Sequence, residues 1–272
     1  MGKFDGILLC TDLDDTLLTT DKQISNENLQ AIQYFMNEGG YFTFATGRAP
    51  SGVKVVADAL QPNAPMICYN GSGIYSLDEK RLLWNVALDK QAIKVLEYVD
   101  QNLPEYGIEV FTEHDIYFCK EHPAADIHRK IEKLSSNQLD YHLVRTDWLK
   151  AIILSHPEDM ERLWTAMRRT PFFERYHFTQ SSEHYFEILP KDVSKGSALL
   201  KLSELLGIHP SRTIAMGDNQ NDIELLRSAG CGIAVANAVE ELRNVADRIT
   251  VDNNSNAVSA VIHSLDLGML RF

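Results

Sequence analysis

Short apolar runs alternate with helical patterns toward both ends of this sequence, and that alternation limits the fold more than any other feature. Residues 6–12, 41–46 and 65–69 read as buried strands. Between the first two, Leu29, Ile32, Phe35 and Met36 recur at helical spacing behind a Ser25 N-cap and ahead of a Gly39-Gly40 stop. A further helix is expected over residues 53–60. The rhythm resumes with a helix carrying Leu199, Leu202, Leu205 and Leu206, strands at 213–216 and 232–236, helices at 222–227 and 239–245, and a final strand and helix. Strands alternating with helices predict an α/β fold built on a doubly wound parallel sheet.

From about residue 83 to 190 the pattern changes. Strand-like runs at 116–119, 151–154 and 185–189 are interleaved with helical stretches at 90–101, 124–134 and 157–168. Asn70-Gly71 and Asp78-Glu79 supply turn chemistry leading into this segment. The expected organisation is a discontinuous core domain of residues 1–82 and 191–272 with a smaller α/β cap domain of residues 83–190 inserted in it. A length of 272 residues suits one large and one small domain.

Charge narrows the partners. With 26 basic against 38 acidic residues, the net charge of -12 disfavours nucleic acid and acidic membrane surfaces. A small anionic substrate then needs a local cationic site or a metal. No apolar run approaches the roughly 20 residues of a membrane span, and residues 1–6 carry no leader pattern, so a cytoplasmic location is expected. Cys10, Cys68, Cys119 and Cys231 form no CxxC pair and read as buried reduced thiols.

The chemistry gathers where apolar runs end. Asp12-Leu13-Asp14-Asp15-Thr16 follows the first run. An acidic cluster is ordinarily a solvated loop, but in open α/β sheets the carboxyl ends of the strands form the ligand crevice. Asp12 and Asp14 crowded there repel each other unless a cation or proton intervenes. Magnesium, which takes oxygen ligands, suits them better than zinc, because no His or Cys cluster has ligand spacing. Gly217-Asp218-Asn219-Gln220-Asn221-Asp222 follows a later run; Asp218 or Asn219 could cap the next helix, Asp218 could complete a metal site, and Asn221 and Asp222 could orient ligands or a lysine. Ala45-Thr46-Gly47-Arg48 ends the second strand, where turn chemistry explains the glycine and a hydroxyl with exposed N–H groups could receive a phosphoryl oxygen. Ser194-Lys195-Gly196 opens the leucine-patterned helix at the end where the helix dipole disfavours a lysine. Pointed into the crevice, Lys195 would supply the missing positive charge.

Taken together, these motifs resemble the haloacid dehalogenase-like phosphohydrolases over nearly the whole chain, and the insert is similar to that of their Cof-type sugar-phosphatase branch. The resemblance implies a phosphoric monoester hydrolase in which Asp12 is the nucleophile and Asp14 the general acid and base. It implies magnesium held by Asp12, the Asp14 carbonyl and Asp218, and a phosphoryl group contacted by the Leu13 N–H, Thr46, Gly47, Lys195 and Asn221. The expected substrate is a small phosphorylated metabolite such as a sugar phosphate. Asp15 departs from the family, whose commonest residue there is Gly; Asp tolerates left-handed backbone better than most residues. A phosphomutase would use the same aspartyl-phosphate, whereas a phosphoacceptor switch would be shorter and phosphorylated after a later strand. For substrate selection in the cap the nominees are His114, Arg145 and His184. Tyr69-Asn70-Gly71-Ser72-Gly73 lacks the full GxGxxG and reads as a hairpin turn.

Overall fold

A computed structural model describes residues 2–132 and 137–270 of the protein. The first part runs β1 (Leu8–Thr11), α1 (Asn26–Asn37), β2 (Tyr41–Phe44), α2 (Pro50–Leu60), β3 (Met66–Cys68), β4 (Gly73–Ser76) and β5 (Arg81–Asn85). The insert contributes α3 (Ile93–Asn102), β6 (Gly107–Phe111), β7 (Ile116–Lys120), α4 (Pro123–Glu132), β8 (Lys150–Leu154), α5 (Met160–Arg168), β9 (Tyr176–Ser182) and β10 (Tyr185–Pro190). The chain closes with α6 (Lys195–Leu206), β11 (Thr213–Gly217), α7 (Ile223–Ser228), β12 (Cys231–Ala234), α8 (Glu240–Val245), β13 (Arg248–Ile249) and α9 (Ala257–Asp266).

The expected parallel sheet has five strands in the order β13-β12-β11-β1-β2. Thr11, the last residue of β1, is in register with Phe44 of β2 and Met216 of β11. Parallel pairing therefore brings the residues after all three strands to one edge of the sheet, which is why motifs far apart in sequence meet. β1 and β11 are buried throughout, as their apolar runs predict, and the Ser25 side chain caps α1 by accepting from the Asn28 N–H. Helices pack in pairs, α1 with α9 and α6 with α7.

The run at 65–69 behaves differently from a third core strand. Only one parallel bridge, Ala45 to Ile67, ties it to the end of β2; β3 otherwise pairs with β4 in an antiparallel β3-β4-β5 sheet. The chain reverses directly after Cys68 because Tyr69, Asn70 and Gly71 all take positive φ. β5 runs through the expected domain boundary at 82–83.

The insert forms its own five-stranded sheet, order β7-β6-β8-β10-β9, and its pairings are antiparallel. Period-two alternation divides its faces. Ile108, Val110, Ala151 and Ile153 pack with Val95, Leu96, Val99 and Leu163 of α3 and α5. Phe111, Ile152 and Leu154 point the other way and join the apolar cluster of the core, together with Ala124 and Ala125 of α4. Of the helix expected at 124–134, residues 133 and 134 lie outside the described residues. Cys10, Cys68 and Cys231 are buried, Cys119 is half-buried, and all are free thiols. No helix among the described residues is long and apolar enough to cross a membrane.

Candidate active site

Asp12 leaves β1 with its N–H donating to the Met216 carbonyl at 2.8 Å, so its position is set by the neighbouring strand. Its Oδ1 accepts from Lys195 Nζ at 2.6 Å, and the same ammonium donates to Asp222 Oδ1 at 2.7 Å. Lys195 is fully buried at the first turn of α6, where Ser194 and Ser197 form a capping box. Asp222 Oδ2 accepts from the Asp218 and Asn219 N–H groups, both at 3.1 Å, fixing the turn after β11. A Cβ on Gly217 would stand 2.5 Å from the Asp222 Cβ, so this turn requires glycine. Asp218 Oδ1 accepts from Thr16 Oγ1 at 2.7 Å.

Asp12, Asp218 and Asp222 each offer an oxygen, and these atoms lie within 4.8 Å of one another. Burial raises the Asp12 carboxyl well above the usual range; Lys195 opposes this, while the charges of Asp222, Asp218 and Asp14 add to it. Asp218 is pushed up to about 7, by burial and by Asp222. Lys195 moves upward: burial alone would lower it, but Asp12 and Asp222 outweigh that. One lysine thus faces a surplus of carboxylates. The donor set is all oxygen and electrostatically deficient in positive charge, which fits a hard divalent cation.

Asp14 faces a different partner. The Arg48 guanidinium grips it as a fork, Nε to Oδ2 at 2.9 Å and Nη2 to Oδ1 at 2.7 Å, and Lys22 Nζ stands 3.3 Å from Oδ1. Burial works to raise the Asp14 carboxyl, yet Arg48 and then Lys22 prevail and hold it below the usual range. Asp15 adopts φ 57°, the left-handed backbone expected of it, and its own charge is met by Lys22 at 3.1 Å. No sequence pattern singles out Arg48 or Lys22 for this contact with Asp14.

Between the two sheets lies a cavity of about 160 Å³. Asp12, Asp14, Thr46, Gly47, Asp218 and Asn221 line its core wall. Lys195, Asp222 and the Leu13 side chain lie behind that wall rather than on it. The opposite wall carries His128, Lys150, Ser181, Ser182, Tyr185 and Glu187 from the insert. Lys150, 2 % exposed, donates to the Gly47 carbonyl and to Glu187 Oε2, both at 2.8 Å, and its Nζ lies 4.4 Å from the Phe111 ring centre. Ser181 donates to the other Glu187 oxygen. Glu109 Oε2 lies 2.6 Å from His128 Nδ1.

The nominated cap residues are not on this wall. His114 is exposed and borders a larger groove, about 970 Å³, that none of the candidate carboxylates lines. Arg145 is exposed on the chain before β8, and the His184 ring faces the Ser155 carbonyl at 3.0 Å in the β9–β10 turn. The nomination looks to polar residues in loops of the insert, whereas the wall is built from polar groups on strands β8, β9 and β10 and on helix α4. A sequence signal for two of them exists: Lys150 and Glu187 each interrupt an apolar run, as does Glu109 behind His128, and a buried charge needs a partner.

Residues 9–262 match the family of haloacid dehalogenase-like hydrolases. Among curated proteins, the chain is 30% identical over 287 residues to the 5-amino-6-(5-phospho-D-ribitylamino)uracil phosphatase YwtE of Bacillus subtilis, spanning 94% of this chain and 97% of that one. It is 28% identical to phosphatase YwpJ of the same organism, spanning 95% and 99%. A solved haloacid dehalogenase-like hydrolase from B. subtilis superposes with a TM-score of 0.81 at 27% identity, over 95% of this chain and 98% of that one. A family match over nearly its whole length, on a fold shared with a solved member, means that the chain belongs to the haloacid dehalogenase-like hydrolases, in their Cof-type branch.

Proposed function

We propose that the protein is a magnesium-dependent phosphatase of small phosphorylated metabolites, sugar phosphates or similar, acting in the cytoplasm through an aspartyl-phosphate on Asp12. The observation that carries this reading is the buried Asp12 carboxylate at the end of β1, held by Lys195 within a cluster of carboxylates short of positive charge. Asp12 attacks phosphorus in line, the Asp12–phosphorus bond forms, and the bond to the leaving oxygen breaks while Asp14 gives that oxygen a proton. Asp14 then takes a proton from the water that attacks phosphorus, the Asp12–phosphorus bond breaks, and inorganic phosphate departs. The Arg48 fork suits Asp14 to the second task; for the first it must loosen enough for the carboxyl to carry a proton. Lys195 fixes one oxygen of Asp12, and Thr46, Gly47, Asn221 and the Leu13 N–H receive the phosphoryl oxygens. A magnesium ion held by Asp12, Asp218 and the Asp14 carbonyl would offset charge on those oxygens.

We assign residues 1–82 and 191–272 to a core and 83–190 to a cap whose wall of Lys150, Glu187, Ser181, Ser182, Tyr185 and His128 meets the leaving group. The name of the relative YwtE, a phosphatase of a phosphorylated ribitylamino compound, supports a substrate of this class. The test is a phosphate-release screen over sugar phosphates, nucleotides and cofactor phosphates, with and without magnesium. One phosphate released per substrate consumed, lost on chelation and restored by magnesium, is the expected result. Isomer formation with little free phosphate would make the protein a mutase, and turnover undiminished in verified metal-free protein would remove the metal from the account.

A further inference from the structure

The Tyr69–Gly71 turn does more than reverse the chain between β3 and β4. Its residues stand at φ 54°, 54° and 101°, and a tyrosine enters the left-handed region only where its surroundings impose it. The turn touches the loops that carry the proposed phosphoryl contacts. The Asn70 N–H donates to the Thr46 carbonyl at 3.0 Å. Its side-chain Oδ1 accepts from Asn221 Nδ2 at 2.9 Å. A Cβ on Gly47 would stand 3.0 Å from Asn70 Nδ2, so the amide lies flat against that glycine. A Cβ on Gly71 would stand 2.1 Å from the Ser194 carbonyl, immediately before Lys195.

Asn70 is 1% exposed, and its Nδ2 is buried with no hydrogen-bond partner among the described residues. A turn that served chain reversal alone would have no reason to bury an amide with an unmet donor; such turns ordinarily leave Asn-Gly at the surface. We infer that Asn70 is a positioning residue for phosphoryl binding: its amide fixes the orientation of Asn221 and backs the Gly47 peptide, so that loops following different strands present their donors as one unit. The inference rests on the phosphatase reading and names a residue that reading does not use.

Asn70→Gly separates backbone from side chain, because glycine accepts the left-handed turn and only the amide is lost. The variant should fold with a thermal midpoint close to wild type. Beryllium fluoride with magnesium, followed by fluorine NMR and calorimetry, should bind about tenfold more weakly, as expected for loss of the one amide–amide hydrogen bond that orients Asn221. KM should rise by a similar factor and kcat should change less. Combined with Asn221→Ala, the loss should fall well short of the product of the two single losses. Losses that multiply, or unaltered binding in folded Asn70→Gly, would overturn the inference. Should the variant not fold, nitrogen-15 spectra of wild type serve instead: beryllium fluoride must shift the side-chain amides of both Asn221 and Asn70, and a shift at Asn221 alone refutes the coupling. Wild-type protein that neither releases phosphate nor binds beryllium fluoride overturns the phosphatase reading and this inference with it, whereas an active wild type with an unaltered variant overturns this inference alone.

Discussion

The two walls of the cleft bury charge in opposite ways. In and behind the core wall, Lys195 is shared by Asp12 and Asp222 while Asp218 stands within reach, so negative charge is in surplus. On the insert wall Lys150 meets Glu187, whose other oxygen takes the Ser181 hydroxyl, so the charges match. A matched pair is complete as it stands and needs no ligand. A surplus of carboxylates in a buried place is unfavourable until something cationic arrives, and binding is the natural use of it. The contrast sets a group of carboxylates short of a cation against an ion pair that is neutral as it stands.

Asp12→Asn attacks the contrast at its centre. Turnover should fall below detection, because the amide cannot serve as nucleophile, while metal-free protein should melt no lower than wild type, since one of the crowded charges is gone. Near-normal phosphate release from the folded variant would end the proposed mechanism. Asp14→Asn should lower kcat by about 10² to 10⁴, with partial recovery on an ester whose leaving group needs little protonation. Equal losses on poor and good leaving groups, with phosphorylation rate-limiting, would refute Asp14 as the acid.

The insert wall should respond in stability first. Lys150→Met leaves Glu187 buried without its ion, at a cost of about 3–5 kcal/mol in denaturant unfolding. The double variant Lys150→Met, Glu187→Met should regain most of that loss. A single variant as stable as wild type would mean that the pair is not the matched unit described here.

The smallest effect sharpens the core side. Asp218 stands near 7 in the folded protein against an ordinary 3.8, so its share of stability is full below about 4 and is lost as pH rises through 7. The gain in thermal midpoint on adding magnesium should therefore grow between pH 5 and pH 8 and shrink in Asp218→Asn. A gain independent of pH in wild type would detach Asp218 from the metal.

The sequence made the core side easy to read because parallel pairing places the ends of β1, β2 and β11 in a row, so a motif after each strand becomes a neighbour of the others. The helix of Leu199 and Leu202 and its opening at Ser194-Lys195-Gly196 were visible for a local reason: their signals lie within a few residues. The insert was harder. β6 and β9 escaped notice because Glu109 interrupts one and β9 is mostly polar, and their status depends on antiparallel partners far along the chain. Lys150 meets Gly47 across 103 positions, a proximity that no local pattern announces. In sequence Arg48 is only the residue after Thr46-Gly47; its grip on Asp14 follows from where the loop after β2 passes the turn after β1.

The tie between Lys150 and Gly47 bears on how readily the cleft opens. Lys150 donates across it to a backbone carbonyl and keeps its counter-ion, Glu187, on its own side. Asn219 reaching the Ser181 carbonyl and Tyr69 reaching the Glu113 carbonyl follow the same pattern. Parting the walls at Lys150 breaks one hydrogen bond from a charged donor, about 1.5–3 kcal/mol, and strands no ion. That bond alone corresponds to a parted form at about one part in ten to one in two hundred, and the buried contacts of Phe111, Ile152 and Leu154 with the core add to the cost of opening. Had the lysine and its carboxylate faced each other across the cleft, every opening would have had to rehydrate two charges.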